Sequence, residues 1–310
     1  MSDFFSAYSP MSMFAFLGAL EIGLIYSLVA LGVLISFRLL RFPDLTVDGS
    51  FTLGGAVCAI LIAHGTNPFV ATAAGMGAGF VAGLVTATLN VKLRIMDLLA
   101  SILVMTALYS INLRVMGAAN VPLISDPTVF KVLHPSSALK ASESRPLIML
   151  LVVIMAKLVL DWFFSTEIGL SIRATGTNAR MARAQGVPTG RMMLLGLAIS
   201  NSLVGLAGAL FAQSQGGADA SMGIGTIVIG LAAVIVGERI LPARKLIWIT
   251  MAVIVGAVVY RIFIALALQA DAIGLQAQDL NLITAVLVTV ALIIPMLKKR
   301  IQSFFKKGEA

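Results

Sequence analysis

One cysteine, Cys58, and two histidines, His64 and His134, are all that 310 residues offer of the side chains that most often hold transition metals. A single thiol closes no internal disulfide, no CxxC pair is present, and the histidines are far apart in sequence that reads as loop, so neither a disulfide scaffold nor a metal site is expected. Charge is scarce too: 12% of residues, about half the roughly 25% of a soluble domain. The chain carries no HExxH and no Gly-x-Ser-x-Gly, which argues against an intramembrane zinc or serine hydrolase. It also carries no GxxxxGK[ST]. The nearest stretch, Gly186 to Arg191, lacks both the spacing and the lysine, so the chain does not cradle ATP phosphates itself. Any energy for work must come from a partner or an ion gradient. The first twelve residues hold Asp3 and no Lys or Arg, which predicts no cleavable signal peptide.

What is abundant is apolar surface: 59% of residues are hydrophobic and the mean hydropathy is +1.01. The length alone would allow two soluble domains, but a soluble fold of this size must turn much of its surface to water and has nowhere to hide so much. The apolar runs do not alternate over ten-residue segments, which excludes an outer-membrane barrel. The sequence therefore predicts an all-α polytopic membrane protein, a single transmembrane domain over 1–310. Runs of about 17–25 residues, enough to cross about 30 Å of hydrocarbon, fall at 14–37, 47–63, 68–89, 97–117, 146–164, 191–213, 223–241, 245–268 and 279–297. That makes about nine transmembrane helices.

The net charge of +8 would raise the question of nucleic acid in a soluble protein. Here its distribution sets orientation instead, and no nucleic-acid partner is expected. With the N-terminus outside and the C-terminus in the cytoplasm, sixteen Lys and Arg fall on the inner side and four, Arg114, Lys131, Lys140 and Arg145, on the outer side. The basic tail, 298–310, serves as an orientation signal or an anionic-lipid anchor.

Two spans begin unusually. RFPDLTVDGSFTLGG (41–55) and GGADASMGIGTIVIG (216–230) each set an Asp, then Thr or Ser, then glycine ahead of an apolar run. Five spans separate them, so they lie in opposite orientation. This is the pattern of an inverted-topology repeat, spans 1–4 against 6–9; the alternative is two ordinary N-caps. Residues 118–145 hold three prolines and several serines and read as an irregular outer loop. Residues 165–190, STEIGLSIRATGTNARMARAQGVPTG, read as a short amphipathic helix between turns on the inner side.

The pattern Gly169, Ile172-Arg173-Ala174, Gly176, Asn178, Ala182 and Gly186 within that inner stretch resembles the permease subunits of ABC importers of the branched-chain amino acid and ribose type. So do Pro43 to Ser50, similar to the family's Asp-Leu-Ser-Val-Gly-Ser element with one residue inserted, and Ala233 to Glu238, with Glu238 in place of a glycine. The resemblance covers about residues 18–297. It implies alternating access, with 165–190 as a coupling loop that docks on the ATPase through Gly169, Arg173, Gly176, Asn178, Arg180, Ala182, Arg183 and Gly186. It also implies two cytoplasmic ATPase subunits that bind ATP and Mg (no cofactor being held by this chain), an extracytoplasmic substrate-binding protein, a second permease copy, and a bacterial inner-membrane location. An amino acid or similar small solute is implied by the resemblance alone. The other reading is an ion-coupled secondary transporter with inverted repeats, which would need a carboxylate-rich ion site in mid-membrane.

Intramembrane charges mark functional residues by default. Glu21 and Arg261 each lie about 10 Å below the outer ends of their spans, so a pair is expected, as a helix lock or in the substrate path. Asp44, Asp48, Ser50, Asn112 and Asn201 are the other candidates for the path or for locking helices together. Lys157 and Asp161, four apart, read as a local ion pair. Asn90, Gln213 and Gln215 read as hydrogen-bonding cross-links, and Gly75, Gly79 and Gly83 as a packing ridge. Cys58 and the fifteen methionines read as apolar filling. No catalytic residue is expected.

Overall fold

The computed structural model describes residues 13–133, 141–243, 245–268 and 289. It is helical: α1 (Met13–Val33, running on as a π-helical stretch, Leu34–Leu39), α2 (Thr46–Ala63), α3 (Pro68–Val91), α4 (Asp97–Met116), α5 (Val129–Val132), α6 (Ala141–Ser165), α7 (Glu167–Thr177), α8 (Ala179–Ala184), α9 (Thr189–Gln215), α10 (Thr226–Ile240) and α11 (Leu246–Leu268). Seven of these are long and apolar enough to cross a membrane: α1 with its π-helical extension, α2, α3, α4, α6, α9 and α11. The expected seventh span, 223–241, is a shorter helix of 15 residues, about 22 Å. Its first residues are taken by a turn in which Gly225, at φ +83°, ends the approach. The predicted ninth span, 279–297, apart from Thr289, and the basic tail lie outside the described residues, as do Asp3, His134 and Lys140.

The outer loop is more regular than its prolines suggest. Asn120–Pro122 (β1) pairs antiparallel with Gly217–Asp219 (β2), Val121 opposite Ala218, and α5 follows. The main-chain groups of both loops are thereby satisfied on each other. Helix α6 begins at Ala141, ahead of the expected 146, with Pro146 inside its first turns.

The core lies where α1 and α9 cross. Gly32 and Ser200 meet there: a Cβ on Gly32 would stand 2.7 Å from the Ser200 carbonyl, and Ser200 Oγ donates to the Gly32 carbonyl at 2.7 Å. Around this pair the packing is reciprocal. Helix α9 lies against α2 and α3, while α1 lies against α10 and α11. The first helix of each proposed repeat is thus held by the second and third helices of the other, as an inverted repeat requires. The glycine ridge of α3 faces α9, where Cβ atoms on Gly79 and Gly83 would fall 2.3 Å from the carbonyls of Asn201 and Leu197.

Candidate functional site

Helices α2 and α10 start side by side. A Cβ on Gly223 would lie 2.1 Å from the Asp48 carbonyl, so only glycine lets the approach to α10 touch the first turn of α2. The Asp48 carboxylate then accepts from the backbone N–H of Gly225 (3.0 Å) and of Ile227 (2.8 Å). From this meeting point α2 runs toward the β1–β2 ribbon. Helix α10 runs toward the α7–α8 end, where Glu238 pairs with Arg38 at 2.9 Å. Two helix N-termini, each a positive dipole end, converge on one carboxylate. Asp48 is therefore a cap across the two repeats rather than a cap on its own helix.

Beneath it lies a second polar cluster. Asn201, about 18 Å along α9 from Thr189 at the helical rise, donates Nδ2–H to Asp44 Oδ2 at 2.6 Å and accepts from Ser50 Oγ at 2.7 Å. Asp44 Oδ1 accepts from the Thr46 N–H at 3.0 Å, and the Thr46 hydroxyl meets that of Thr86 on α3 at 2.8 Å. All five of these residues are fully buried. Asp44, Ser50 and Asn201 thus tie the start of α2 to α9, and Thr46 with Thr86 ties it to α3. A third cross-link sits toward the ribbon: Gln213 donates to Thr72 (2.8 Å) and to Cys58 Sγ (3.3 Å), and its Oε1 accepts from the Val129 N–H (2.9 Å). Cys58 therefore contributes a polar contact in addition to filling space.

Asn112 behaves differently. It is 1% exposed and gives one long hydrogen bond, 3.3 Å to the Gly49 carbonyl, while its Oδ1 has no partner. It borders a cavity of about 330 Å³ between α2, α4 and the approach to α10, lined also by Asp48, Thr52, Met105, Tyr109 and Ile224. Tyr109, Met105 and Ile224 were not among the sequence candidates. Only the spacing of Met105, Tyr109 and Asn112, at three and four residues along α4, marks them as sharing one face.

The expected Glu21–Arg261 pair does not form. Glu21 Oε1 accepts from Ser214 Oγ at 2.6 Å, and the Arg261 guanidinium lies 5.6 Å from the centre of the Tyr26 ring. The reason is helical phase. Gly23 faces α11, where its Cβ would stand 3.3 Å from the Arg261 Cβ. Glu21, two residues earlier, points about 200° away at 3.6 residues per turn, toward α9. Equal depth did not mean a shared face. Lys157 does pair with Asp161, which also accepts from Thr250 Oγ1 at 2.8 Å, and Asn90 ties the end of α3 to Asp97 at 2.6 Å.

The inner stretch is two helices instead of one. Thr166 caps α7 and Asn178 caps α8, accepting from Met181 N at 3.1 Å. Gly169 lets α7 fold back on Phe163 and Phe164, and Gly176 sits against the Leu39 and Leu40 backbone. Ile172 and Ala182 are buried and Gly186, at φ +84°, turns the chain into α9. One face of α7 is therefore wedged between the ends of α1, α6 and α9. The other face and α8 expose Ile168, Leu170, Met181, Arg180 and Arg183, with Arg173 half-buried between the two faces. Arg183 leans on Thr189 Oγ1 at 3.1 Å.

Residues 15–297 match the family described as the permease component of branched-chain amino acid transport systems. The chain is 40% identical over 266 residues to a tyrosine transport system permease protein of Clostridioides difficile, covering 86% of each chain. It is 34% identical over 283 residues to an uncharacterized protein of Rickettsia prowazekii, covering 88% of this chain and 95% of the other. It is also similar, at 16% identity and a TM-score of 0.48 over 93% of this chain and 87% of the other, to a solved ABC transporter described as of metal-chelate type in an inward-facing conformation. With three motifs in order along a helical membrane bundle and a family match over nearly the whole chain, this protein belongs to the permease components of branched-chain amino acid transport systems, the ABC-importer permease family.

Proposed function

We propose that the chain is the membrane-spanning subunit of an ATP-driven importer for an amino acid or similar small solute. In this reading two copies work with two cytoplasmic ATPase subunits and an extracytoplasmic binding protein. The setting is a bacterial inner membrane, N-terminus outside and C-terminus in the cytoplasm. ATP and Mg bind on the ATPase, and closure of the ATPase pair is passed through residues 165–190 to the bundle. The observation that carries the reading is the two-faced α7–α8 element. Its glycines seat it directly on the ends of three spans, while its free side presents apolar side chains beside Arg180 and Arg183. An acidic, partly apolar partner surface would match it, and a push there would reach α1, α6 and α9 as rigid bodies. The sixteen-to-four distribution of basic residues supports the orientation.

One observation favours the ion-coupled reading. Asp44 and Asp48 both lie deep in the bundle, where such a carrier keeps its ion site. Against it, Asp44 is enclosed, its two carboxylate oxygens accepting from Thr46 and Asn201, so Asp48 stands alone where an ion-coupled carrier would need a carboxylate-rich site. Docking is tested by Arg180→Glu with Arg183→Glu. These side chains are exposed, so the fold should lose no more than about 1 kcal/mol, while co-purification with the ATPase should fall at least tenfold and uptake with it. A double variant that still co-purifies and transports normally rules the docking surface out.

A further inference from the structure

Two acceptors, Asp48 and Thr52, stand on the mainly apolar cavity beside α2. Asp48 presents a carboxylate whose hydrogen bonds come only from the backbone amides of Gly225 and Ile227. Among the described residues the ion pairs are Arg38–Glu238 and Lys157–Asp161, so no described cation pairs with Asp48. Asn112 borders the same cavity, and its Oδ1 is buried without a hydrogen-bond partner. The amide orientation is fixed, because its Nδ2 is the group facing the Gly49 carbonyl. Thr52 Oγ1 already donates to the Asp48 carbonyl at 3.2 Å, so it too offers only lone pairs. An orphaned buried acceptor is costly, and a carboxylate in the membrane with no described cation beside it is costlier. A ligand that brings several N–H donors and a positive charge relieves both. The remaining walls are Gly49, Met105, Thr106, Tyr109, Ala220 and Ile224, and about 330 Å³ is far more room than a bare metal ion needs.

The geometry points to an ammonium-recognition site in mid-membrane: a primary ammonium group of the transported solute sits between the Asp48 carboxylate and Asn112 Oδ1, with its apolar body against Met105, Tyr109 and Ile224. This rests on the reading of the chain as an importer subunit and goes beyond it. The permease itself then selects for a cationic amine instead of passing whatever a binding protein delivers. The capping amides make the site sensitive to conformation, because the carboxylate that would hold the ligand also joins α2 to α10.

The test uses the full chain with its ATPase in lipid nanodiscs, carrying Cys58→Ala and Met105→Cys. Labelling rates with a cationic methanethiosulfonate (ethylammonium) and an anionic one (ethylsulfonate) are compared, with and without tyramine or 3-(4-hydroxyphenyl)propionate as protectant. The cationic reagent should win by at least tenfold beyond its ratio on a free thiol. Asp48→Asn should erase that preference. Tyramine should protect and the propionate, which lacks the ammonium, should not. Asn112→Leu, which leaves the cap on α10 intact, should weaken tyramine protection at least tenfold while keeping the electrostatic preference. Equal reagent rates, a preference untouched by Asp48→Asn, or equal protection by the two analogues would overturn the site. Protection by sodium in place of potassium, with none by tyramine, would overturn it in favour of an ion site. ATP-driven uptake by the unmodified complex is measured in parallel. Its absence would count against the importer reading, whereas uptake without ammonium-dependent labelling counts against this site alone.

Discussion

At the scale of single residues, polar groups in this bundle are either fully spent or conspicuously unspent. Asn201 is spent: from α9 it bridges Ser50 on α2 and Asp44 just ahead of α2. Replacing it with leucine leaves the buried Asp44 carboxylate with Thr46 as its partner. We expect Asn201→Leu to cost about 1–3 kcal/mol, the toll of a buried group left unsatisfied, read as a shift in the denaturation midpoint in detergent. Arg261 makes the complementary case. Double-mutant cycles should find Glu21 and Arg261 additive within about 0.5 kcal/mol. Tyr26 and Arg261 should couple by about 0.5–2 kcal/mol as a cation on an aromatic face. The sequence made the residue types and depths legible, and picked out Asp44, Asp48, Asn112 and Asn201. It could not tell which way Glu21 points, because that depends on the azimuth of α1 relative to both α9 and α11. Nor did it single out Thr86 or Ser214, ordinary helix residues until a partner is placed opposite them.

At the scale of elements, small residues decide how closely helices approach. Gly79 is pressed against α9, whereas Gly77, on the other face of the same helix, has nothing within 4 Å of where a Cβ would be. Gly79→Ala should destabilise by about 1–3 kcal/mol through overpacking. Gly77→Ala should be neutral or gain up to about 1 kcal/mol from helix propensity. Thermal unfolding of the two purified variants separates them, and equal effects would mean that α3 and α9 are not in contact. The periodic glycines of α3 were readable from spacing alone. The shortness of α10 was not, because an apolar run continues across Gly223 to Leu241 whether or not its first residues are helical. What ends the helix is the tertiary contact with Asp48, which a hydropathy window does not see. The second inner helix was hidden for a similar reason. Asn178 reads as one polar residue in a loop until its side chain is seen to cap α8.

At the scale of the whole molecule, the repeat ties these features together. Each repeat's first helix is clasped by the other repeat, and the two short helices meet at Asp48. The assembly thus has two interlocked halves and a shared joint between them, the mechanical outline of alternating access. Its proposed orientation rests on charge. In a Cys58→Ala background, a cysteine at Ile124, which is 81% exposed at the ribbon end, should label from outside intact cells. One at Thr177 should label only after the membrane is opened. Labelling of Thr177 from outside would reverse the topology. The claim on which the rest depends is that ATP hydrolysis by a docked partner, and not an ion gradient, drives this chain. The most direct measurement is amino acid uptake into proteoliposomes holding the complete complex and its binding protein. The ATPase would be either active or disabled in its phosphate-binding lysine, and each form would be assayed with and without sodium and proton gradients. The account predicts uptake against a gradient only with the active ATPase and ATP inside the compartment that faces α7–α8, unchanged when both ion gradients are collapsed. Accumulation that survives the dead ATPase and vanishes with an ion gradient would contradict it.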